Sequence, residues 1–167
     1  VTVIADDNGA HALGGVIGGV STGCTEDTTN VFIEAAFFDP VRTAATGRRY
    51  QIESDARYRF ERGVDPAAVV EGIEAATLLV LEFCGGEASE LVFAGAEPAW
   101  RKDVTLRPER IKALGGIEIS HDAIAEILEN LGFGVTREAD VFSVAVPSWR
   151  SDVDGEADLV EEVTRIF

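Results

Sequence analysis

Apolar and polar positions change their rhythm along the chain, and the change predicts two different halves. The opening VTVIADD is an apolar run closed by acids and reads as a strand; HALGGVIGGVSTG follows, then the apolar stretch NVFIEAAFF, which reads as a second strand. Four glycines at 14, 15, 18 and 19 oppose a helix there, at about 1 kcal/mol each, and suit tight turns or close approach of a ligand or another backbone. Residues 1–39 are therefore expected to be all β. A helix is expected next, with Asp65 as N-cap, Pro66 at its first position, the broadly apolar AAVVEGIEAATLLVLEF, and Gly85-Gly86 as its stop. ELVFAGAEPAW then reads as a short strand running into a linker near Pro98.

From Trp100 the texture changes, and a domain boundary is expected there. VTLRPERIKALGG gives a strand and a short helix opened by Pro108; IEI gives a short strand. Ser120 caps DAIAEILENLG, with Ile124, Ile127, Leu128 and Leu131 on one face and Gly132 as the stop. VTREADVFSVAVPS reads as a hairpin, and EADLVEEVTRIF as a helix burying Leu159, Val160, Val163 and Ile166. The whole is α+β: a β-rich first half with one long helix, then a small winged-helix-like module. The missing Met, the apolar opening and the uncapped closing helix suggest a piece of a longer protein.

Composition adds constraints. With 167 residues, 46% hydrophobic and 26% charged, the chain suits one good core or two small ones, and neither disorder nor a fibrous repeat. No apolar run reaches the roughly 18 residues of a membrane span, so a soluble, cytoplasmic protein with no membrane partner is expected. Cys24 and Cys84 are far apart and read as reduced core thiols. His11 and His121 lack partners at metal spacing and read as structural; GGVIGG lacks the Lys-Ser/Thr pair of a phosphate loop.

The charge pattern is more informative. Thirty acids face fourteen basic residues, net −16, yet Arg42, Arg48, Arg49, Arg57, Arg59 and Arg62 crowd one window containing three acids, Glu53, Asp55 and Glu61. These arginines either pair with the acids at short spacing or form a phosphate-facing patch, with Tyr50, Tyr58 and Phe60 available for stacking on bases. Glu34, alone in an apolar stretch, either points to water by strand alternation or serves as an acceptor in a pocket. Asp158, Glu161 and Glu162 fall at i, i+3 and i+4 on the last helix, with Asp152 in the loop before it. They either complement the helix dipole or converge as hard oxygen ligands for Mg²⁺.

The motifs ALGGVIGG, NVFIEAAFFDP, SDARYRFERGVDP and PSWRSDVDGEADLVEEVTRIF, in that order, resemble the bacterial phenylalanyl-tRNA synthetase β-subunit family over essentially the whole chain. The resemblance implies that residues 1–97 are the C-terminal part of the B3/B4 editing domain and residues 98–167 the winged-helix-like B5 domain. It implies a module that hydrolyses tyrosine wrongly joined to tRNA(Phe), in which Glu34 accepts the phenolic hydroxyl. Gly14, Gly15 and Gly18 would line the pocket, and Ser54 and Ala56 would shape the aminoacyl site. Arg48 and Arg49 would lie near the tRNA acceptor end. Asp152, Asp158, Glu161 and Glu162 would hold Mg²⁺ at a boundary shared with the α subunit, and that subunit would bind ATP and phenylalanine within an α₂β₂ assembly. Ser54 stands where the family has threonine, and upstream editing residues, a histidine among them, precede Val1, so the piece alone is expected to be inactive. The rival reading is a non-catalytic interaction module. Residues 98–167 carry 8 basic and 14 acidic side chains, net −6, which opposes direct DNA binding by that half.

Overall fold

The computed structural model describes residues 1–167, and the chain divides into two compact units, Val1–Pro98 and Ala99–Phe167. In the first, β1 (Val3–Asp6), β2 (Gly9–Leu13) and β3 (Ile17–Gly18) form an antiparallel sheet in that order. The β1–β2 turn is closed by the Asp6 carboxylate, which accepts from the backbone N–H of Asn8 (2.7 Å) and Gly9 (3.2 Å). Gly9 takes φ +137°, open to glycine and strained for other residues.

The expected second strand is absent. Residues 30–39 form no strand and no ladder. They run instead into α1 (Pro40–Tyr50), which Asp39 caps by accepting from Arg42 N–H at 2.7 Å, with Pro40 at the first helical position. A second unforeseen helix, α2 (Asp55–Phe60), is capped by Ser54. The first half is thus not all β before residue 40 and is largely helical after it. Helix α3 (Val69–Cys84) forms as expected, entered through a 3₁₀ turn at Pro66–Ala68 whose cap is Asp65. None of its side chains is buried, and Val16 is the one buried hydrophobic residue of this unit. The strand expected in ELVFAGAEPAW does not form.

The second unit has a conventional core. A three-stranded antiparallel sheet, ordered β4–β6–β5, joins Lys102–Leu106, Val141–Val146 and Gly134–Glu138. Pro108–Arg110 opens α4, which widens into a π-turn at Ile111–Gly115, while Ile117–Ile119 forms no strand. Helices α5 (His121–Asn130, capped by Ser120) and α6 (Glu156–Ile166) complete the unit. Leu106, Ile111, Ile124, Leu128, Phe142, Val144, Leu159 and Val163 are fully enclosed between them. Of the stripe expected on α6, Leu159, Val160 and Val163 are buried and Ile166 is half exposed. The molecule is α+β, and no helix is long and apolar enough to cross a membrane.

Candidate functional site

In the first unit, Ser54 occupies a junction. Its hydroxyl donates a short hydrogen bond to the carbonyl of Val16 and accepts from the backbone N–H of Arg57 at 3.0 Å. One oxygen therefore caps α2 and ties it to the turn between β2 and β3. That turn holds Gly14 and Gly15, but their missing side chains make room for Phe38. A Cβ on Gly14 would stand 2.7 Å from Cε1 of Phe38, and one on Gly15, at φ +68°, would stand 2.9 Å from its Cδ2. Phe38 in turn meets Phe60 edge to face, centroids 5.2 Å apart. Gly14 and Gly15 thus pack on a ring of the protein itself, and Ser54 is bonded to the same turn through Val16. Gly18 has open space where a side chain would stand.

A groove of about 480 Å³ follows α2, lined by Glu53, Ser54, Asp55, Arg57, Tyr58 and Glu61. Ser54 belongs to it; Glu34 and the glycines do not. Ala56 is half-buried on the same helix. Glu34 is exposed and makes no hydrogen bond or ion pair, while partial burial of its carboxyl raises its pKa above the ordinary value. Neither strand alternation nor a pocket describes it here, because no strand forms.

The arginine window divides. Arg57 is internal: it donates to Glu61 at 2.9 Å and to the Ile52 carbonyl at 2.7 Å, with its side chain 15% exposed. Arg62 lies 3.7 Å over the Tyr58 ring and donates to the Tyr58 carbonyl, so this tyrosine is stacked against an arginine just past the end of its helix. Arg49 covers Tyr50 at 5.5 Å. Arg48 and Arg49 stand exposed in the last turn of α1, where their charge suits the negative helix end. Sequence reasoning overlooked Phe38, Gly47 and the inward arginine; the signal available was the i,i+4 spacing of Arg57 and Glu61.

In the second unit the acids do not converge. Asp152 accepts two hydrogen bonds from Arg150 (2.8 and 2.7 Å), and Glu162 accepts from Arg150 (2.9 Å) and Arg165 (2.7 Å). Asp158 is spent at the start of α6, accepting from the backbone N–H of Asp154 and Gly155, both at 2.8 Å. The Arg150 guanidinium beside Asp152 and Glu162, and the two backbone amides beside Asp158, hold these carboxyls below their ordinary values. Glu161, also in the helix, carries none of these bonds and lines a separate groove with Asp158. No group of three or more His, Cys, Asp or Glu is placed to hold a metal. The cation among Asp152 and Glu162 is Arg150, so the four acids of this chain do not by themselves fit Mg²⁺.

The remaining candidates resolve simply. The backbone N–H of Asn8, and after it His11 at 2.7 Å, lower the Asp6 pKa to about 2. His121 meets Arg137 at 2.8 Å and lies edge-on to Phe142. Cys24 and Cys84 are free, as expected, but exposed rather than in a core.

Comparison with known proteins places these two units. The family model of the B3/4 domain matches residues 1–85, and that of the tRNA synthetase B5 domain matches residues 104–167. The chain is 59% identical over 166 residues to the phenylalanine–tRNA ligase beta subunit of Paramagnetospirillum magneticum, covering 99% of this chain and 21% of that protein. The chain belongs to the phenylalanine–tRNA ligase beta-subunit family. Further beta subunits, from Rhodospirillum rubrum (52% identical, 99% of this chain, 21% of that protein) and Gluconobacter oxydans (45%, 99% and 24%), match along the same extent. The chain spans about a fifth of the length of the curated relatives it matches. For this beta-subunit chain, the B3/4 match takes in Glu34, the glycine turn, Ser54 and the arginine window, and the B5 match takes in the acid–arginine network.

Proposed function

We propose that this chain is the editing and B5 portion of an aminoacylating phenylalanine–tRNA ligase, and that its first unit helps release tyrosine from mischarged tRNA(Phe). The observation that carries the reading is the match of the B3/4 domain to residues 1–85, a stretch that includes Glu34. Glu34 is exposed and makes no hydrogen bond within this chain, so its carboxylate is free to accept from a phenolic O–H. The chemical need is plain, since an aromatic pocket rejects one added hydroxyl by only about a hundredfold, whereas a site that hydrogen-bonds the hydroxyl discriminates far better. Glu34 recognises; the water that attacks the ester is placed by the ester's own surroundings, the neighbouring ribose hydroxyl included.

The partners follow from the same reading: the α subunit, which binds ATP, in an α₂β₂ assembly; tRNA(Phe), with Arg48 and Arg49 near its acceptor end; and a cytoplasmic location. Magnesium at α6 would draw on Glu161 and the remaining oxygen of Asp158, and needs donors from outside this chain, because Asp152 and Glu162 are held by arginines. The test is release of tyrosine from tyrosyl-tRNA(Phe) by the complete enzyme, with Glu34 intact and with Glu34→Ala. Release is expected to fall by at least about tenfold in the variant, the value of one lost charged hydrogen bond, with phenylalanine charging unchanged. Equal release by both would make this unit scaffold, the role in the rival reading.

A further inference from the structure

We infer that Arg57 is a positioning residue for the editing site, a role that rests on the proposed function and adds a residue to it. Its guanidinium lies across Gly47 of α1, where an added Cβ would collide with Cδ and Nε of the arginine. From there it donates to the Ile52 carbonyl (2.7 Å) in the α1–α2 connection and to Glu61 (2.9 Å) at the end of α2. Its own backbone N–H donates to the Ser54 hydroxyl, whose proton goes to the Val16 carbonyl of the glycine turn. Val16 is 1% exposed, the single buried hydrophobic anchor of the unit.

One side chain therefore fixes the end of α1, the connection and α2 relative to one another. The backbone N–H of the same residue joins Ser54, and through it the turn carrying Gly14 and Gly15, to the segment this side chain holds. Ser54 has spent its donor proton and one lone pair inside the protein. Its effect on substrate is exerted by setting the spacing between the glycine turn and α2. Arg57 holds that spacing, because its side chain adds a bond across the connection, which is otherwise joined to α1 by Ile52 N–H to Gly47 carbonyl (3.1 Å) and Gln51 N–H to Arg48 carbonyl (3.3 Å). Bidentate, planar donation to two unlike acceptors suits arginine and not lysine.

The experiment uses the complete α₂β₂ enzyme with Arg57→Gln, Arg57→Lys and Gly47→Ala. For tyrosyl-tRNA(Phe) hydrolysis, Arg57→Gln is expected to lower kcat about tenfold to a hundredfold, with KM within about twofold, because small displacements of a reacting group act on the chemical step. Arg57→Lys should recover part of the loss, and phenylalanine charging should not change. Gly47→Ala is the sharper test: alanine suits a helix better than glycine, so a fall in editing without loss of α1 comes from the displaced guanidinium. Combining Ser54→Ala with Arg57→Gln should be no worse than the more damaging single change. Unchanged kcat in both Arg57→Gln and Gly47→Ala, with the parent editing normally, overturns the assignment. If the parent does not release tyrosine, the editing reading falls instead, and amide hydrogen exchange at Gly14 and Val16 decides the clamp. Faster exchange in Arg57→Gln upholds it; unchanged exchange overturns it.

Discussion

Arg150 gathers several contacts in the second unit, with two hydrogen bonds to Asp152, one to Glu162, and its guanidinium 5.4 Å over the Phe133 ring. Its side chain is 18% exposed and that of Glu162 8%, so removing the arginine leaves a nearly buried carboxylate with Arg165 alone. Breaking a buried pair costs about 3–5 kcal/mol; with Arg165 remaining and some solvent access, Arg150→Ala is expected to cost about 2 kcal/mol. Urea unfolding followed at this unit measures it. The pH dependence has a definite sign. Asp152, Asp158, Glu156 and Glu162 all have lowered folded pKa values. Their stabilisation is present above the unfolded values of about 4 and is lost as pH falls through the lower folded ones. The unfolding midpoint of this unit should therefore decline from about pH 4.5 downward, and less steeply in Arg150→Ala. Glu34 runs the other way: partial burial raises its pKa, so under the proposed function its acceptor form is lost at a pH above the usual glutamate value.

Among the elements, the β5–β6 hairpin shows a local conflict that a substitution can relieve. Its two-residue turn places Ala139 at φ +51°, where a Cβ crowds the following carbonyl. Ala139→Gly should stabilise the second unit by about 1 kcal/mol, raising its thermal midpoint by several degrees; an unchanged or lower midpoint would show that the turn carries no strain. Elements with strong punctuation were legible in sequence: Asp65-Pro66 before α3, Ser120 before α5, and the alternation of β6. Helices α1 and α2 were not. α1 has few apolar residues and reads PVRTAATGRRY, so its charge overshadowed the Asp39-Pro40 start signal, and α2 is too short to show a period. Val31–Phe38 failed as a strand for a different reason: its β-branched and aromatic residues suit a pleated surface, and no ladder partner stands beside them in the structure.

At the scale of the molecule, the two units are unequal. Thirteen buried hydrophobic residues form one cluster in the second, against Val16 alone in the first. Local stability follows buried contacts, so the first unit should unfold at lower denaturant than the second, in two separable transitions rather than one. A single coincident transition by all probes would contradict this. The same inequality explains what the sequence revealed of the candidate site. Motif order placed Glu34, Ser54 and the acids, since residue identity is all a motif needs. It could not show that Phe38 fills the glycine cleft, that Ser54 is bonded on both sides, or that Arg150 joins Asp152 to Glu162, because those facts depend on which groups meet across the fold.

The distribution of two rare residue types makes the units separately observable in one sample. Both tryptophans, Trp100 and Trp149, belong to Ala99–Phe167, and both free, exposed cysteines, Cys24 and Cys84, belong to Val1–Pro98. Intrinsic indole emission is a native reporter for one unit, and a maleimide dye is a native attachment point on the other, without a single engineered residue.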